Sequence, residues 1–271
     1  SKWITNSQSH TDYRPSTCSH LHAASEDARI VNTSTWKKSI LIFLLPLIFG
    51  CYASLQHPSV AQEAISAEKS KQLEMAFQLA EKRLDRLARI YFPLQLASAE
   101  LCGKDASNLH GFLFHSNETY PREFQEVATR LYHLDDSITV KSVHPLSPAA
   151  RSGLLPGDRI LKINGRVLEG KGLFEKGNVL TEELEKSTKL SLDINREGTL
   201  LGLTLDPTKG CKYPALLAFS DAVNAQSNGD AILVSSGMVK FAELDSELAF
   251  ILSHEIAHNA LGHNSTKNKI G

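Results

Sequence analysis

The sequence carries no excess of either charge: 29 lysines and arginines stand against 30 aspartates and glutamates, a net charge of −1 over 271 residues. That balance excludes the electrostatic footprint of a nucleic-acid binder or of a protein held on an anionic membrane surface. Long apolar runs are also scarce. Ile40 to Phe49 is apolar apart from Pro46, which falls short of the roughly 20 residues that a membrane-spanning helix needs. The four cysteines, Cys18, Cys51, Cys102 and Cys211, include no close-spaced pair, which excludes a zinc ribbon. Methionine occurs only at Met75 and Met238, so the first residue is not expected to be a natural start. After Glu255 the chain contains no aspartate or glutamate at all.

What is present fits a globular protein, with 42% hydrophobic and 22% charged residues. Lys37 and Lys38 precede the apolar run, which ends in Gly50-Cys51. A positive start, a short apolar core and this ending read as a signal peptide over 31–51. The ending resembles the lipobox of bacterial lipoproteins. That resemblance implies lipidation at Cys51 and a membrane-anchored protein on the periplasmic side of the bacterial cell envelope. Phe49 stands where that family has a small residue. Residues 1–30 are polar and without periodicity, and are expected to be a mis-assigned start or a disordered tail.

Further along, Leu73, Phe77, Leu84, Leu87 and Ile90 recur at three- and four-residue spacing, which predicts a helix over 61–96. Pro93 is expected to kink or end it. A second helix is expected over 119–132, with Pro121 in its first turn. "CGKDASNLHGF" from Cys102 reads as a polar loop. Cys102 and Cys211 would form a disulfide in an oxidising compartment or remain two separate buried thiols.

From Ile138 the pattern turns to short strands. In "SVHPLSPAARSGLLPGDRILKINGRVL" (142–168), Ser147 can cap a short helix with Pro148 at its first position. Gly153 can end that helix in a left-handed conformation. Pro156-Gly157 makes a turn, and Asn164-Gly165 favours a type I′ hairpin. Strands are expected over 160–163, 190–194 and 200–205, and a helix over 179–186. This stretch resembles a PDZ domain of the bacterial protease type over about 137–206, which implies binding of extended peptides beside an edge strand. The glycine-rich carboxylate-binding loop expected before the binding strand in that family is missing, and the chain reads "HLDDSITV" instead.

The last informative stretch is "FAELDSELAFILSHEIAHNALGH" from Phe241. Asp245 or Ser246 can cap a helix there, and Gly262 can stop it. His254 and His258 are four residues apart, about 40° in angle and ~6 Å along the axis, so both rings point the same way and can share one zinc ion. Glu255 is turned ~100° from His254 and can act as general base toward a water at the metal. His263, five residues beyond His258, falls ~140° around a continued helix, facing away from the metal, and only a break at Gly262 would bring it back. The metzincin spacing fails, because Leu261 and Asn264 occupy the positions of its glycine and third histidine.

The stretch 224–263 resembles the HtpX-like gluzincin metallopeptidases, specifically the bacterial branch with a PDZ module before the zinc motif. The "LCG" that closes the helical segment fits that branch as well. The resemblance implies His254 and His258 as zinc ligands, Glu255 as catalytic base, and Ala231 to Val239 as the edge strand that holds substrate backbone. It also implies that His263 is a structural or second-shell residue. The third ligand in that family is a glutamate on a later helix, which "NSTKNKIG" (264–271) cannot supply. The chain is therefore expected to be the front of a longer protease.

The fold class expected is α+β, in five parts: 1–30 and 31–51 as above, 52–136 helical, 137–206 the PDZ module, and 207–271 the start of a helical HExxH domain. Two functions follow. One is a zinc-dependent metalloendopeptidase acting on protein or peptide substrates. The other is a non-catalytic PDZ interaction protein with an incomplete peptidase part.

Overall fold

Helix α1 (Gln62–Ala97) supports everything else in the computed structural model, which describes residues 62–168, 170 and 172–263. The expected start, the signal segment with Cys51, and the tail 264–271 lie outside the described residues. Among those described, no helix is long and apolar enough to cross a membrane. The architecture is α+β, as expected.

Pro93 lies inside α1 and does not end it, which removes one of the two outcomes the sequence reading allowed. Proline has no N–H, so the carbonyl of Arg89 loses its helical donor. The ring of His144 takes over that role, with Nε2 3.2 Å from Arg89 O. His144 Nδ1 accepts from the Leu146 amide at 3.2 Å, which fixes Nε2 as the donor. The Phe92 and His144 rings lie 4.7 Å apart between centroids. A tertiary contact thus satisfies the group that local sequence leaves bare.

Short helix α2 (Ala99–Cys102) and a 3-10 turn follow. The expected polar loop, 102–112, then proves to hold strand β1 (Ala106–Leu109), and β2 (Phe112–His115) begins at its last residue. Helix α3 (Arg122–Tyr132) begins directly after Pro121. Next come β3 (Thr139–Val143), α4 (Pro148–Arg151), β4 (Arg159–Ile163), β5 (Arg166–Val167), α5 (Gly172–Lys186), β6 (Leu190–Arg196) and β7 (Thr199–Leu205). These strands form one sheet in the order β2-β3-β4-β6-β7, with β5 paired to β4. The sheet therefore draws its first strand from residues ahead of 137, and α5 begins seven residues before the expected Val179.

The turn chemistry behaves as read. Ser147 Oγ accepts from the Ala150 amide at 3.1 Å. Gly153 has φ +81°, and Asn164 and Gly165 have φ +49° and +78°. Alternate residues of β6 (Leu190, Leu192 and Ile194) point inward and join Ile160, Ile163 and Leu180 in a dry core. Each such burial is worth roughly 1.5–3 kcal/mol relative to exposure.

Strand β8 (Thr208–Cys211) pairs antiparallel with β1. Strands β9 (Ala215–Ala218), β10 (Ala225–Ser227) and β11 (Ile232–Ser235) form a second sheet in the order β10-β11-β9. Helices α6 (Ser236–Phe241) and α7 (Asp245–Ala260) complete the described chain. A second core joins Leu87, Ile90 and Tyr91 of α1 to Ile232, Leu248 and Leu252. Cys102 and Cys211 are disulfide-bonded within it, with Cα atoms 5.5 Å apart, which settles the open alternative.

The other end of α1 packs Phe77 against Tyr120, Val127 and Ala128. There His115 is buried, its Nδ1 2.7 Å from the Tyr120 hydroxyl. Burial first, and then the Lys141 ammonium, pull the imidazole down to about 4 from its ordinary 6.5. The folded state therefore holds His115 neutral, while the unfolded chain protonates it below about 6.5. The stability this contributes is present above pH 6.5 and is lost as pH falls towards 4. Urea unfolding at pH 7 and at pH 4.5 should show the loss, and His115→Gln should flatten the difference. An unchanged pH dependence in the variant would count against this assignment.

Candidate active site

Helix α7 is placed by its first residue. Asp245 is not the N-cap: Leu244 is, and its amide donates to Glu247 Oε2 at 3.0 Å. Asp245 sits in the first turn, with Arg86 Nε and Arg89 Nη2 each 2.9 Å from its carboxylate oxygens. Those hydrogen bonds, Arg86 first, hold its carboxyl below the usual range. Arg86 also donates to Val239 O at 2.7 Å and Glu243 O at 3.1 Å. One guanidinium thus pins α1 to the corner between α6 and α7. Leu248, Leu252 and Ile256 then turn one face of α7 into the core.

The opposite face carries the histidines. His254 Nε2 and His258 Nε2 lie 3.0 Å apart. Two ring nitrogens this close can both reach one ion at the ~2.0–2.1 Å of a zinc–imidazole bond. Glu255 lies between them in sequence and is 9% exposed, a helical step of about 100° from His254. Among the described residues no group of three potential ligands forms. His254 and His258 are thus brought together as expected, and no described third ligand joins them.

His263 does not face away. Gly262 adopts φ +68°, the His263 amide donates to His258 O at 3.1 Å, and the ring returns to place Nδ1 3.0 Å from His258 Nδ1. It therefore meets the nitrogen of His258 that points away from His254. That is the position from which an outer partner fixes the tautomer and orientation of a ligand imidazole.

The expected edge strand is corrected. Ile232–Ser235 is the central strand of its sheet, and residues 236–241 are helical. The free edges are β9 and β10, and β10 packs on α7.

The residue the sequence reading missed is Asn259. It is buried, accepts from the Gly229 amide at 2.8 Å and donates to Ala231 O at 3.2 Å. It clamps the turn between β10 and β11 to the helix beside His258. The signals were an Asn-Gly turn at 228–229 and an amide on the buried face of a helix.

Residues 139–172 match the profile of a PDZ domain, and residues 208–270 match Peptidase family M48. The chain is similar to the carboxy-terminal processing protease CtpA of Bacillus subtilis, with 30% identity over 82 residues, 30% of this chain and 17% of that protein. It is also similar to the protease RseP of Yersinia pestis, with 45% identity over 65 residues, 24% of this chain and 14% of that protein. The chain thus aligns with less than a fifth of either relative. Among solved structures, the HtrA3 PDZ domain bound to a phage-derived ligand is 23% identical, with TM-score 0.29, over 38% of this chain and 88% of that one. The HtrA-type protease AlgW with a decapeptide is 22% identical, with TM-score 0.29, over 38% and 30%.

Proposed function

We propose that this chain carries the PDZ module and the zinc motif of a zinc metalloendopeptidase of the bacterial cell envelope, of the HtpX-like kind. The observation that carries the reading is the facing pair of ring nitrogens, His254 Nε2 and His258 Nε2, with Glu255 beside them inside a match to a peptidase family. The donor set suits zinc, which when bound supplies Lewis-acid activation of water and carbonyl. His254 and His258 would hold it, and His263 would keep His258 oriented through the second ring nitrogen. Glu255 accepts the proton of the attacking water on its carboxylate and delivers it to the nitrogen of the leaving amine.

Substrate backbone would lie along the open edge of β10, which Asn259 fixes against the helix. The PDZ module would hold an extended stretch of the same polypeptide or of a partner protein. The Cys102–Cys211 disulfide favours an oxidising compartment. It agrees with the signal segment and the lipidation expected at Cys51.

Glu255→Gln tests the chemistry. In the full-length protein, zinc content should stay constant while hydrolysis of a fluorogenic casein falls by at least on the order of 100-fold. Full hydrolysis by the variant would sink the assignment. Absence of zinc from the unsubstituted protein would favour a purely binding role for the PDZ module.

A further inference from the structure

The sheet of the PDZ-like module begins at Phe112 and ends at Leu205. The strands on either side of that span, β1 and β8, pair with each other. Leu109 stands opposite Thr208, and Ala106 opposite Cys211. The Lys212 amide donates to Asp105 O at 3.0 Å and carries the pairing one residue further. The chain therefore enters and leaves the module through one antiparallel ribbon. Opposed Cα atoms in such a ribbon stand about 4.5–5.5 Å apart, a gap that a two-residue hairpin turn closes. The Cys102–Cys211 disulfide ties the base of the ribbon. The chain ahead of the module and the chain behind it are thus joined whatever lies between them.

The cores follow the same division. The core around the disulfide takes Leu87, Ile90 and Tyr91 from ahead of the module and Tyr213, Ile232 and Leu252 from behind it. Among the described residues, none of its members lies between 110 and 207. The core of the module draws all of its described members from 112–205.

The module rests on α1. Phe77 packs against Tyr120 and Val127, Glu81 pairs with Lys141, and Arg89 O accepts from His144. Elsewhere a cleft of about 920 Å³ parts it from the second sheet, with Phe112 and Leu113 of β2 on one wall and Ala215 to Leu217 of β9 on another. A body with its own core, one ribbon and one docking surface can be removed without opening the fold on which it stands.

We propose that the catalytic unit is discontinuous, built from α1 to β1 and again from β8 to α7, and that the PDZ-like module is an insertion which the zinc site does not need for its chemistry. The helical segment then belongs to the peptidase rather than standing as a part of its own. The inference rests on the peptidase reading above and specifies which parts of the chain carry it. A peptide too short to reach the module needs only the catalytic unit.

The test replaces residues 110–207 of the full-length protein by Asn-Gly, joining Leu109 to Thr208. The shortened protein should form the Cys102–Cys211 bond and bind zinc within about threefold of the original affinity. It should also hydrolyse a quenched-fluorescent hexapeptide library within about threefold in kcat/KM, and Glu255→Gln should abolish that hydrolysis. Removal of the module uncovers Phe77 and Phe92, so a second version adds Phe77→Lys and Phe92→Gln to keep it soluble. The intact protein supplies a further measurement, hydrogen exchange in graded urea. Amides of β4 and β6 should open as one group and those of β11 and α7 as another, at separate urea concentrations. A single opening shared by both groups would overturn the inference. So would loss of zinc and of hydrolysis from both shortened versions while the original protein keeps them. Absence of zinc and hydrolysis from the original protein would instead remove the peptidase reading, and separate openings would leave the insertion standing.

Discussion

Reduction of the Cys102–Cys211 disulfide is expected to lower the stability of the described fold by about 4–5 kcal/mol. The bond joins residues 109 apart. In the chain-entropy picture, a cross-link across a loop of about 100 residues removes ~4.7 kcal/mol of conformational freedom from the unfolded chain at 25 °C. Both cysteines sit in the core that also holds Tyr91, Tyr213 and Leu252. The surrounding contacts belong to the same joint. Tyr91 donates to Tyr213 O at 2.7 Å, and Gln95 donates to Cys211 O at 3.0 Å. The Tyr213 hydroxyl donates to Asp105 at 3.0 Å, and burial followed by that carboxylate pushes its pKa up to about 12.

For a fold of this size, 1 kcal/mol corresponds to roughly 2–4 °C. The melting temperature with reductant, or in the Cys102→Ala/Cys211→Ala double variant, should fall by about 10–15 °C. A change under about 2 °C would mean that the core alone holds the joint. The bond fastens the helical segment to β8 ahead of the peptidase-like strands, so hydrogen exchange in β8 and β1 should quicken before that in β6.

The parts of this structure that were legible in the sequence are those governed by neighbours in the chain. Ser147 capping Ala150, the left-handed Gly153 and the Asn164-Gly165 turn depend on a few adjacent residues. The His254/His258 pair depends only on helical period. What stayed hidden depends on distant partners. Pro93 is tolerated because His144 reaches Arg89 O. Strand β2 goes unassigned because its partner β3 lies beyond an intervening helix. Strand β11 resembles an edge strand by composition, yet β9, from a segment seventeen residues earlier, covers one side of it. His263 returns to His258 through the break at Gly262 that the sequence left open. In each case local physics was read correctly and then overridden by a contact that spacing does not encode.

The same dependence on a distant contact makes Lys141→Met the second large expectation. Lys141 on β3 and Glu81 on α1 form an ion pair at 2.7 Å, with side chains only 4% and 6% exposed. Tyr132 donates to the same Glu81 oxygen at 2.8 Å, while the other oxygen, Oε1, is buried without a partner among the described residues. Removing the lysine leaves a carboxylate buried with one neutral donor, a loss of about 3–5 kcal/mol. The loss carries a pH signature. An unpaired buried carboxylate has its pKa raised, so the folded variant favours the protonated form and its deficit shrinks as pH falls towards the carboxylate range. Urea unfolding should therefore show a larger difference from the unsubstituted protein at pH 8 than at pH 5. The Glu81→Leu/Lys141→Met double variant should recover most of the stability, because two apolar chains of similar size need no desolvation of charge. If the double variant is as unstable as Lys141→Met, the pair does more than neutralise itself, and the docking of β3 on α1 depends on charge. Full recovery would assign the pair to alignment, setting which turn of α1 meets the PDZ-like sheet and with it the shape of the cleft between β2 and β9.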